Sequence, residues 1–143
     1  MGLDMSIYAE YHVSEYHNKE LHQQLSNLDI VGDSSSITAE LIYWRKANQI
    51  RNWFVRNVDI FDNCERAYLK EQHLSELLDT INKVLEDNSL AEQLLPTQSG
   101  FFFGSIEYDE RYFEVLKHSA DEIQRILDSK VFDKAAVYYV ESW

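Results

Sequence analysis

A chain of 143 residues, 45% hydrophobic and 27% charged, is long enough for one ordinary core and does not have the composition of a disordered protein. Its net charge of −12 excludes general binding to duplex DNA or RNA, which needs a large basic stripe. A single cysteine, Cys64, excludes an internal disulfide framework and a multi-cysteine zinc site, and it fits a reducing compartment. The first residues lack a basic segment followed by an apolar run, and no stretch reaches the ~18 apolar residues of a membrane span. The expectation is a cytoplasmic protein with no membrane and no nucleic-acid polymer among its partners.

In chain order, Leu3, Met5, Ile7, Ala9, Tyr11 and Val13 alternate with polar neighbours, and period two predicts a half-buried strand. Tyr16, Leu21, Leu25 and Leu28 are spaced for a helix within 15–28. Val31 to Ser36 reads as a loop from its Gly, Asp and Ser content. Ile37 to Trp44 is rich in strand formers. A helix follows, with Ala47, Ile50, Trp53 or Phe54, and Val58 on one face. Residues 65–70 suggest a short strand. Leu74, Leu77, Leu78, Ile81, Val84 and Leu85 form the clearest helical stripe, ending near Asn88. Leu94 to Ser105 reads as loop and short strand. Asp109 looks like the N-cap of a long helix lined by Tyr112, Phe113, Leu116, Ala120, Ile123 and Leu127. Residues 135–143 close the chain as a strand. Strands at both ends with helices between predict a single α+β domain over 1–143, with helices packed on one face of a mostly antiparallel sheet.

Two segments stand out as candidate ligand-binding surface. Ile37 to Val58 carries Arg45, Lys46, Arg51 and Arg56 against one acid, Glu40. It is an island of net +3 in a chain whose remainder carries −15. Trp44 and Trp53 lie inside it. Arginine offers a planar fork to phosphate, and aromatic rings stack on bases at ~1–3 kcal/mol each. The turn from strand to helix at Trp44–Arg45–Lys46 would also present free backbone N–H groups to an anion. Two uses of these residues are open. The tryptophans are core and the cations pair with surplus acids, or the island holds a small nucleotide.

The second segment, LLPTQSGFFFGS, has no charge at all. It offers amide, hydroxyl and backbone N–H groups beside phenylalanines, the mixture that lines small-ligand pockets. It lacks the spacing of a phosphate-binding glycine loop. It reads either as a closely packed structural segment or as the uncharged wall of a pocket whose other wall is the basic island.

The remaining chemistry is sparse. His12, His17, His22, His73 and His118 form no metal-ligand spacing, Cys64 has no local histidine base, and Asp59, Asp62 and Glu65 lack the glycine of a calcium loop. No catalytic residue, metal or cofactor is assigned.

Four segments together carry a resemblance: GLDM near the start, YWRKANQIRNWFV, LLPTQSGFFFGSIEYDERYF and the terminal ESW. They resemble a family of small acidic proteins encoded by bacteriophages and prophages, over most of the chain except residues 15–36. Two positions depart from the family pattern, which favours histidine where Arg51 stands and serine at Lys70. Small phage proteins of this kind include inhibitors of host defence. Among them are sponges that sequester nucleotide immune signals such as cyclic ADP-ribose, histidine-linked ADP-ribose or cyclic dinucleotides. That company, with the basic and aromatic island, implies an anti-defence protein in the infected host cytoplasm that binds an ADP-ribose-type signal without catalysis, as a homo-oligomer.

In that arrangement Trp44 or Trp53 stacks on a base, and Arg45, Lys46 and Arg51 meet phosphates. Gln98, Ser99 and the Phe101, Phe102, Phe103 wall close the pocket. Asn48, Tyr108 and Asp109 read ribose or base edges. The alternatives are an acidic inhibitor or DNA mimic acting on a host defence protein, and a nucleotide-signal hydrolase.

Overall fold

The structure is a computed structural model that describes residues 2–30, 32–59 and 62–143. Four strands form an antiparallel sheet in the order β2-β1-β4-β3: β1 is Asp4–Ser14, β2 Ser34–Arg45, β3 Ala67–Tyr68 and β4 Ala136–Ser142. The helices are α1 (Lys19–Asn27), α2 (Asn48–Asn57), α3 (Glu71–Glu86), the one-turn α4 (Ala91–Leu94) and α5 (Glu110–Asp128). The fold class is α+β.

Strand β1 is central because its alternation is the cleanest. Met5, Ile7 and Ala9 are buried on the inner face, with Leu3 just before them. Onto that face pack Ile50 and Phe54 from α2, Leu74, Leu77 and Ile81 from α3, and Leu116 and Ile123 from α5. Each such aliphatic side chain, fully buried, contributes roughly 1.5–3 kcal/mol. Helix α3 was the most legible element, and its stripe is buried as expected. Lys70 precedes it where a capping serine would serve. The Lys70 N–H donates instead to Nδ1 of His73, 3.0 Å away.

Two expectations shift. The strand predicted from Ile37 starts at Ser34, because the serines pair with the end of β1. Of the predicted loop 31–36, residue 31 lies outside the described residues. No strand forms between Leu95 and Tyr108. That segment bonds instead to side chains of α2 and to Leu3.

Strand β2 also contains a bulge. Ile7 pairs with Ile42 but Tyr8 pairs with Glu40, so Leu41 is the extra residue. Ile37 and Ala39 point inward before it, and Ile42 and Trp44 after it. The Leu41 carbonyl, freed from the ladder, accepts a 2.6 Å bond from Arg125 of α5. With side-chain period two, an unbulged strand would turn Tyr43 and Arg45 inward. The bulge therefore sets which residues reach the rim.

Candidate functional site

Helix α2 and the uncharged segment face each other, and they are bonded directly. Asn48, 1% exposed, donates through Nδ2 to the carbonyls of Phe103 (3.0 Å) and Ser105 (2.9 Å), and its Oδ1 accepts from the Gln98 N–H at 2.9 Å. Asn52 donates to the Pro96 carbonyl and Arg56 to that of Leu94. Leu3 completes the junction: its N–H donates to the Phe102 carbonyl, and its own carbonyl accepts from the Lys46 N–H at 2.7 Å.

Arg51 is the centre of this junction. Its Nε and Nη2 each donate at 2.9 Å to one oxygen of Glu141 in β4, and Nη1 donates to Oε1 of Gln98 at 2.9 Å. The guanidinium carbon lies 4.8 Å from the centre of the Phe103 ring and 5.8 Å from that of Trp143. Glu141 is 2% exposed and the Arg51 side chain 11%. A carboxylate so deep needs every available donor. It also accepts from the Tyr139 hydroxyl at 2.8 Å and from Nε1 of Trp143 at 3.1 Å. Burial first, and then the adjacent Glu141 charge, push the ionisation of Tyr139 well above its ordinary value.

These contacts reassign most of the predicted site residues. Arg51 is committed to Glu141 and to Oε1 of Gln98, so its fork is not open to a phosphate. Asn48 holds the loop with both ends of its amide and has no edge left to read a ribose. Trp44 and Trp53 are core, 3% and 4% exposed. Nε1 of Trp44 donates to Ser119 Oγ at 2.8 Å.

The three phenylalanines form no common wall. Phe103 is buried, while Phe101 and Phe102 sit exposed on a turn with Phe102 in the left-handed region. Ser99 is exposed. The Tyr108 hydroxyl accepts from the Thr97 N–H, 3.1 Å away. Asp109 caps α5 by accepting from the Tyr112 N–H at 3.1 Å, as the sequence suggested.

What remains of the prediction is Arg45, Lys46 and the facing glycine–serine pair. They line a cleft of about 220 Å³ together with Gln49 of α2, Glu107, and Asp109, Arg111, Tyr112 and Val115 at the start of α5. Gly104 makes the close approach: at φ +88°, a Cβ there would lie 3.0 Å from Lys46 Cβ. Lys46 itself has φ +57°, a conformation that costs a non-glycine residue roughly 1–2 kcal/mol.

Arg45, Lys46 and Arg111 form no ion pair with any described residue. Gln49 is 4% exposed, and its side-chain amide has no hydrogen-bond partner among the described residues. The N-terminus of α2 has no side-chain cap, since Ala47 offers no acceptor.

No family model, curated protein or solved structure matches the chain. The ligand class must therefore be argued from the cleft's own chemistry. Sequence reasoning missed Gln49 and Arg111. Arg111 did carry a signal, because a cation in the first turn of a helix works against the macrodipole and needs another reason to be there. Among the described residues no group of three or more His, Cys, Asp or Glu side chains is placed to hold a metal ion, and no helix is long and apolar enough to cross a membrane.

Proposed function

We propose that this chain is a binding protein for a small, nucleotide-derived anion, which it sequesters without catalysis. The motif resemblance extends the proposal to a phage-encoded anti-defence protein acting on a signal of the ADP-ribose type. One observation carries the reading. In a chain of net charge −12, three basic side chains with no ion pair among the described residues line one cleft and outnumber its two carboxylates, Glu107 and Asp109, beside Gln49, whose amide has no hydrogen-bond partner among the described residues. With so many acids available, unpaired cations that share a concave site favour an anionic ligand.

The test is release of a bound molecule. Purified protein is incubated with a lysate containing the signal, re-isolated and heat-denatured, and the supernatant is analysed by mass spectrometry. Intact nucleotide near one equivalent is expected from the parent chain, and little from a Lys46→Gly, Arg111→Ala double variant. Recovery of a cleavage product in place of intact ligand would favour hydrolysis. Release of no nucleotide from the parent, across several signals, would overturn the proposal.

A further inference from the structure

A second groove, of about 300 Å³, adjoins the cleft, and Arg45, Arg111 and Val115 line both. Their chemistry differs. Lys46, Gln49 and Ser105 line only the cleft. The groove has apolar walls from Tyr43, Trp44 and Ala47, with Glu114 and His118 beside them. Resting on the anion-binding reading above, we propose that cleft and groove are two subsites of one ligand. The phosphate-bearing end enters the cleft, where Gln49 donates to it, and a planar ring lies in the groove against Tyr43.

Three features support this orientation. Gln49 lines only the cleft, its side-chain amide has no hydrogen-bond partner among the described residues, and a phosphate oxygen there can accept from its NH2 group. Tyr43 is half-exposed, and its hydroxyl is anchored by Asp4, so its ring is held in place. Size points the same way. Small-molecule pockets run ~300–1,000 Å³. The cleft alone suits a phosphate or pyrophosphate group, whereas cleft and groove together fall inside that range. Arg45 and Arg111, shared by both, can pair with phosphate through the guanidinium edge and stack on a ring through its face.

Calorimetric titration at low ionic strength with inorganic pyrophosphate, adenosine and ADP separates the parts. Pyrophosphate is expected to bind by itself, and ADP at least tenfold more tightly. Tyr43→Ala should bring ADP down to the pyrophosphate level and leave pyrophosphate unchanged. Gln49→Glu should weaken both by tenfold or more. Arg111→Ala, at a more tolerant position, should do the same if the buried glutamate impairs folding. ADP binding no more tightly than pyrophosphate, or Tyr43→Ala weakening both alike, would overturn the two-subsite arrangement and leave the anion site standing. Failure of both pyrophosphate and ADP to bind would overturn the anion site too.

Discussion

Within the basic island, Arg51 differs in kind from Arg45 and Lys46. Arg51 is largely buried, forked onto Glu141 and bonded to Gln98, with every guanidinium nitrogen engaged. Arg45 and Lys46 stand at the other end of the same junction with no ion pair among the described residues, and Lys46 holds a left-handed backbone that a glycine would adopt more cheaply. The contrast separates two reasons for a basic residue in an acidic chain. One cation neutralises a carboxylate that the fold has buried. The others lie where the fold leaves room for something else.

The sharpest way to break that contrast is at Arg51. Arg51→Met leaves Glu141 buried without its counter-charge, and should cost ~3–5 kcal/mol in urea unfolding. Adding Glu141→Gln should recover a large part of the loss, because the stranded charge is the main penalty. Asn48→Ala should cost ~2–3 kcal/mol, since the buried carbonyl of Phe103 and the Gln98 N–H lose their partner. Faster amide exchange at Gln98 would localise the effect.

The cleft residues should behave in the opposite manner. Lys46→Gly relieves the left-handed strain, and Arg111→Ala removes a cation from the positive end of α5. Each should leave stability within ~1 kcal/mol of the parent, or above it, while anion binding falls.

The smallest effect is a pH window. Burial holds Tyr139 in its protonated form when folded, so its ionisation in the native state lies above the unfolded value of 10.0. The folded state then keeps a proton that the unfolded state releases. Stability should be insensitive to this group below pH 10 and fall as pH rises beyond it. Tyr139→Phe should reduce that alkaline loss in urea unfolding followed from pH 9 to 11.

What the sequence made legible follows the same division. The alternation of β1 and the stripe of α3 were readable because one face of each is buried along its whole length. The residues of Leu94–Ser105 were readable as a group that meets the basic island, yet not as a segment without a strand. Its bonds go to Asn48, Arg51 and Leu3, distant in sequence, and no local pattern encodes them. Trp44 and Trp53 were ambiguous because the same rings serve a core or a base. Arg51 was misassigned because its partner, Glu141, lies 90 residues away. Gln49 is a polar residue in a polar stretch, and only its burial distinguishes it.

The bulge at Leu41 gives the length of β2 a meaning that its composition lacks. Leu41 contacts neither cleft nor groove, and exchanging its side chain for another apolar one would leave the rim as it is. Deleting it would leave Glu40 opposite Tyr8 and Ile42 opposite Ile7, as they are now, in a ladder without the bulge. Trp44 would stay inward and Arg45 outward, and the Leu41 carbonyl that Arg125 holds would be lost. With two residues between Ala39 and Ile42, it is the bulge absorbing one of them that keeps the positive charge facing outward.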